Sequence, residues 1–131
     1  MRAIARRVGG QLRHHIEMRG HRLTADEPEN VGGTDAGPNP QELLAASLAS
    51  CTAVTIEMYA NRKGWDIGDV AVDVDYEPAQ RGSPTRFEMK VKLPKELPED
   101  QAQRLMQIAA KCPVHRTLEG EVMFEEKLEL E

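Results

Sequence analysis

The sequence predicts an α+β fold in which one long buried helix is set between hairpin-rich segments. Three observations carry this. From Leu43 to Ile56 the chain is uncharged, with apolar or small residues pointing in every helical direction. Around Val70–Tyr76 and Phe87–Leu93 apolar and polar residues alternate with period two, as half-buried strands do. Hairpins and helices also come in separate runs, which argues for α+β over a parallel sheet. The expected order is β-β-(β)-α-β-β-α-β.

In the N-terminal part, Ala3–Val8 and Leu12–Met18 flank Gly9-Gly10, a pair suited to a two-residue hairpin turn. Gly20 separates a third run, His21–Ala25. Asp26–Asn39, rich in Pro, Gly, Asp and Asn, reads as a loop, without internal repeat or phosphate-loop spacing. Pro40 suits the first turn of a helix, where its missing N–H would be unpaired anyway. Asn61-Arg62-Lys63 followed by Gly64 suits its end. Such a helix is roughly 33 Å long at 1.5 Å per residue. Being apolar all round, it calls for burial all round, which sinks Cys51 into a core or an interface.

Val70, Val72, Val74 and Tyr76 form the apolar face of one strand, and Phe87, Met89, Val91 and Leu93 that of its partner, with Pro78–Pro84 as the turn. Leu97-Pro98-Glu99-Asp100 opens a second helix, since proline and acids favour the first turn. Leu105, Met106, Ile108 and Ala109 give it a buried face. Lys111–Leu118 follows, then a last strand from Val122 to Leu130. One sheet of about six strands covers only one side of the central helix. A second copy of the chain would cover the other, so a homodimer is expected.

At 131 residues the chain fits a single domain, 1–131. A hydrophobic share of 40% and a charged share of 30% describe a soluble protein with a fair core. The net charge of −5 offers no basic footprint, so no nucleic-acid partner is expected. The uncharged apolar run is shorter than a membrane span, and Met1-Arg2-Ala3-Ile4-Ala5-Arg6-Arg7 lacks the apolar core of a signal peptide. No membrane association and a cytoplasmic location are therefore expected. With aromatics at 4%, the core must be aliphatic, with methionine filling gaps. Glu121, Glu125, Glu126, Glu129 and Glu131 read as solvated charges.

Two cysteines, Cys51 and Cys112, remain for chemistry, and only the fold could bring them together. Cys112 precedes Pro113, the pattern of a cysteine at the N-cap of a short helix, where the helix end favours thiolate. Cys51, mid-helix, would need a nearby cation. Arg13, Arg19, Arg22, His14, His15, His21 and His115 are the candidates. An inert core thiol is the plain alternative for Cys51. Cys112-x-x-His115 is a possible metal-ligand pair, but zinc sites commonly use two tight pairs and the second is missing. No metal and no cofactor are expected. No nucleophile elbow and no HExxH occur.

Gly37-Pro38-Asn39-Pro40-Gln41-Glu42-Leu43-Leu44-Ala45-Ala46-Ser47-Leu48-Ala49-Ser50-Cys51 resembles the central helix of the OsmC/Ohr family, the osmotically inducible and organic-hydroperoxide-resistance proteins. Cys112-Pro113-Val114-His115 resembles that family's second motif, and the order of elements matches along nearly the whole chain. The resemblance implies an intertwined homodimer with a two-cysteine site at its interface. It implies a thiol-dependent peroxidase whose substrate is a small organic hydroperoxide. Cys51 would be the peroxidatic thiolate, Cys112 would resolve its sulfenic acid as a disulfide, and an external dithiol would reduce that. Peroxidase members carry a glutamate directly after Asn-Pro that holds a catalytic arginine. Here Gln41 takes that place and Glu42 follows, about 180° around the helix from Cys51. Arg19 and Arg22 are the candidates for the arginine. The alternative is a non-enzymatic OsmC-like dimer that binds a small apolar ligand or senses oxidants.

Overall fold

Turn chemistry fixes the first strands. The computed structural model describes residues 1–130; Glu131, grouped above with the solvated carboxylates, lies outside them. The chain divides into two compact units, Met1–Ala46 and Ser47–Glu131. In the first, β1 (Ile4–Gly9), β2 (Arg13–Met18) and β3 (His21–Ala25) form an antiparallel sheet in the order β1-β2-β3. The two-residue turn is Arg19-Gly20, where φ is 47° and 81°. Positive φ at both positions is what a type I′ hairpin demands. Gly9-Gly10 does not form the expected two-residue turn. Gly9 stays in β1, residues 10–12 make the connection, and the ladder slips between Arg7 and Gly9, leaving Val8 as the extra residue of a bulge.

The loop after β3 is built around Asp26, a residue only 2% exposed. Its Oδ1 accepts from the Glu27 N–H, and its Oδ2 from the Thr34 hydroxyl at 2.6 Å and from the N–H groups of Thr34 and Ala36. The Thr34 hydroxyl contributes most to holding the carboxyl down at about 2, and the three N–H groups add to it against the cost of burial. Backbone also approaches backbone here. A Cβ on Gly33 would lie 1.9 Å from the Glu27 carbonyl oxygen, and one on Gly37 would lie 2.3 Å from that of Thr24. Only glycine fits either place.

Helix α1 (Pro40–Lys63) starts from a capping box. The Asn39 Oδ1 accepts the Glu42 N–H at 2.8 Å, and the Glu42 Oε1 accepts the Asn39 N–H at 2.9 Å. It ends as the sequence predicts, with Arg62, Lys63 and then Gly64 at φ +69°. Its length and hydropathy would suffice to cross a membrane, a test that the core helix of a soluble protein passes too. Burial on all sides is not what the chain provides. Leu48, Thr52, Ile56 and Ala60, four residues apart, are buried, while Val54 and Met58 are exposed. One chain supplies cover for one stripe only.

In the second unit β4 (Ala71–Glu77) and β5 (Arg86–Lys92) pair antiparallel with alternating burial, and Tyr76 stacks on Phe87 at 4.7 Å between ring centres. Ile56, Ala60, Ile67, Leu105 and Ala109 form the buried core, flanked by Tyr59, Trp65, Val91 and Leu97. Leu105, Ile108 and Ala109 face inward from α2 (Glu99–Ala109), whereas Met106 is exposed. A short α3 (Pro113–Glu119) follows. Instead of one sheet of about six strands, the described residues form a sheet of three and a sheet of two. The expected strand at Val122–Leu130 is not formed. Its apolar face is in place, but Phe124 and Leu128 are exposed and no strand edge pairs with it within the described residues.

Candidate active site

Cys51 and Cys112, separated by most of the second unit's sequence, come together in it. Cys51 sits on α1, one residue before the buried Thr52 of the inward stripe, and is partly exposed. Cys112 is fully buried and is the N-cap of α3, with Pro113 in the first helical turn, as the sequence predicts. Its Sγ accepts the His115 N–H at 3.3 Å. The Thr52 Oγ1 lies 3.7 Å from the same sulfur.

The two thiols sense each other. Burial is the main cause that pushes the Cys51 thiol above its ordinary value, and the neighbouring Cys112 thiol pushes it further. The Val114 N–H and the Thr55 hydroxyl pull the other way without winning. The first turn of α3 thus acts on both sulfurs: the Val114 N–H lowers the Cys51 thiol and the His115 N–H donates to the Cys112 sulfur. In the second unit nothing cationic is among the causes that set the Cys51 thiol. Both cysteines are unbridged.

Apart from His115, the other sequence candidates lie in the first unit. Arg19 occupies the left-handed position of the β2–β3 turn, and Arg22 on β3 has its Nη1 3.3 Å from the His15 Nδ1. Arg13 is held more firmly, with Nη2 donating to the Thr34 hydroxyl at 2.8 Å and Nε 3.9 Å from the Asp26 carboxylate. Gln41 is exposed in the first turn of α1, and Glu42 closes the capping box. His115 Nδ1 lies 3.0 Å from the Glu119 carboxylate, out of line for a hydrogen bond. Among the described residues no three His, Cys, Asp or Glu side chains converge as metal ligands.

Sequence reasoning passed over Thr52, Thr55 and Asp26. The first two were legible as the positions one and four residues after Cys51 on a helix, the second of these being a same-face neighbour. Asp26 carried the weaker signal of an acid at the junction of a strand and a Gly/Pro-rich loop.

The pair can do two-thiol redox chemistry: one sulfur can be oxidised and the other can close a disulfide on it. The family model described as OsmC-like protein matches residues 33–127. No curated protein matches significantly. Among solved structures, one from Psychrobacter arcticus 273-4 is similar at 24% identity and a TM-score of 0.75, covering 88% of this chain and 85% of that one. The organic hydroperoxide resistance protein OsmC of Legionella pneumophila is 26% identical with a TM-score of 0.60, over 92% and 90% of the two chains. The organic hydroperoxide resistance protein OhrB of Bacillus subtilis is 24% identical with a TM-score of 0.60, over 91% and 90%. With the family model spanning most of its length and both cysteines inside the matched region, the chain belongs to the OsmC-like protein family.

Proposed function

We propose that the protein is a thiol-dependent peroxidase acting on small organic hydroperoxides. The observation that carries this is the meeting of Cys51 and Cys112 across α1 and the N-terminus of α3, in a fold shared with organic hydroperoxide resistance proteins. The Cys51 thiolate attacks the peroxide. An S–O bond forms, the O–O bond breaks, and the alkoxide leaves as an alcohol after taking a proton. Cys112 then attacks the Cys51 sulfur. The S–S bond forms, the S–O bond breaks and water departs. An external dithiol returns both thiols.

The thiolate requires a cation that outweighs the burial of Cys51. Following the family resemblance, we assign it to an arginine of the first unit, Arg19 or Arg22, in an active homodimer. Gln41 stands where a carboxylate would hold that arginine, so its grip here is a neutral hydrogen bond at most.

The purified protein should consume an alkyl hydroperoxide with dithiothreitol as reductant, faster than it consumes hydrogen peroxide. Cys51→Ser should abolish turnover. Full activity in that variant would exclude the mechanism. An inactive wild-type protein that still binds an apolar ligand would favour a non-enzymatic dimer.

A further inference from the structure

Thr52 and Cys112 are both fully buried, and neither has water to turn to. The Thr52 Oγ1 stands 2.9 Å from the Leu48 carbonyl oxygen and 3.7 Å from the Cys112 Sγ. A threonine hydroxyl has one hydrogen and two lone pairs, so it cannot donate to both at once. When Cys112 is a thiol, the hydroxyl donates to Leu48 and its oxygen accepts the Cys112 S–H. When the sulfur can only accept, the hydroxyl turns and donates to it. The Leu48 carbonyl loses little by this, because the Thr52 N–H serves it in the helical ladder. The His115 N–H, 3.3 Å from the sulfur, is fixed in the backbone and donates in either state. The adaptable partner is Thr52.

We propose that Thr52 is the positioning residue of Cys112, a hydroxyl that holds the buried sulfur on the Cys51 side and reverses its hydrogen bond as charge develops there. The inference rests on the reading of Cys112 as the resolving thiol. In that step the Cys112 sulfur attacks the Cys51 sulfur, the S–S bond forms and the S–O bond of the sulfenic acid breaks. The departing hydroxide takes the Cys112 hydrogen and leaves as water. Thr52 ends the step with its own hydrogen and changes only the direction in which it points. The Thr52 hydroxyl is within reach of Cys112 and is not among the groups that set the Cys51 thiol, so its loss falls on the second step.

The test separates the two steps. Wild type, Thr52→Val and Thr52→Ser are mixed with one equivalent of cumene hydroperoxide. Sulfenic acid on Cys51 and the Cys51–Cys112 disulfide are then followed by mass spectrometry across pH. Valine keeps the shape of threonine and removes the hydroxyl. Thr52→Val should slow disulfide formation about tenfold, the scale of a lost hydrogen bond to a charged group. The sulfenic acid should accumulate, the pH profile of the second step should move to higher pH, and Thr52→Ser should recover most of the rate. Disulfide formation at the wild-type rate in Thr52→Val would overturn the proposal, as would equal slowing of both steps.

A second measurement does not depend on peroxide. In the Cys51→Ser background, methyl methanethiosulfonate should modify Cys112 about tenfold more slowly when Thr52 is valine, with recovery for serine. If wild type forms no sulfenic acid, the peroxidase reading fails by itself, and this labelling experiment still decides the role of Thr52. Equal labelling of the threonine and valine proteins would overturn it.

Discussion

At the scale of single residues, the balance at Cys51 decides the chemistry. Burial and a second thiol hold it protonated, and one N–H and one hydroxyl do not offset them. A thiol whose pKa lies above its ordinary value is thiolate only at alkaline pH, so without a cation its reaction with peroxide climbs as pH rises through neutrality and beyond. An arginine moves that climb to lower pH. Replacing the operative arginine, Arg19→Met or Arg22→Met, should therefore cut the oxidation rate of Cys51 at about pH 7 by at least tenfold and restore it as the solution is made alkaline. Stopped-flow oxidation of each variant across pH checks this. If both variants keep the wild-type pH profile, neither arginine serves Cys51. At this scale the sequence singled out the two sulfurs that the fold brings together, because Cys51 and Cys112 sit in two recognisable motifs. It did not show Thr52 and Thr55. Their spacing after Cys51 was readable, but which face of α1 meets the first turn of α3 is a pairing of distant segments and has no local pattern.

At the scale of elements, α1 shows how much a sequence can say about its own ends and how little about its surroundings. Pro40 and Gly64 marked the boundaries correctly, because helix termini obey local rules of dihedral angle and missing N–H partners. Glu42, weighed as a holder of arginine, is instead the far half of the capping box with Asn39. The asparagine-x-x-glutamate spacing was there to be read. Asn39→Ala should thus lower stability by about 1 kcal/mol, the usual value of an N-cap side chain. Denaturant unfolding measures it, and an unchanged midpoint would mean that the loop from Asp26 holds the helix start unaided. The Gly9-Gly10 turn was misplaced for a physical reason too. Gly-Gly allows a tight turn wherever it falls. Arg19-Gly20 takes the type I′ turn with a residue seldom found there, because the pairing of β2 with β3 forces it.

At the scale of the whole molecule, the exposed apolar side chains of the second unit call for a partner. On α1, Val54 and Met58 are 51% and 60% exposed. Along Val122–Leu130 the alternation of a strand is written in the sequence, yet Met123 and Phe124 are 90% and 81% exposed. A strand is a property of two segments: the pattern supplies an apolar face, but among the described residues no edge strand pairs with this segment. That explains why this segment read as a strand and does not form one. Exposed apolar groups of this number mark an interaction surface. In the homodimer proposed above, a second copy of the chain would meet both surfaces. Sedimentation equilibrium should therefore return twice the 14.6 kDa chain mass at micromolar concentration. Met58→Glu would place a charge on the exposed side of α1, where burying it unpaired costs several kcal/mol, and should shift the equilibrium toward monomer. Hydrogen exchange adds a local readout: the amides of Val122–Leu130 should be protected in the assembled wild type and exchange freely in the Met58→Glu monomer. A monomeric wild type, or a dimer in which those amides exchange at unfolded rates, would separate the two surfaces and leave the tail without a strand partner.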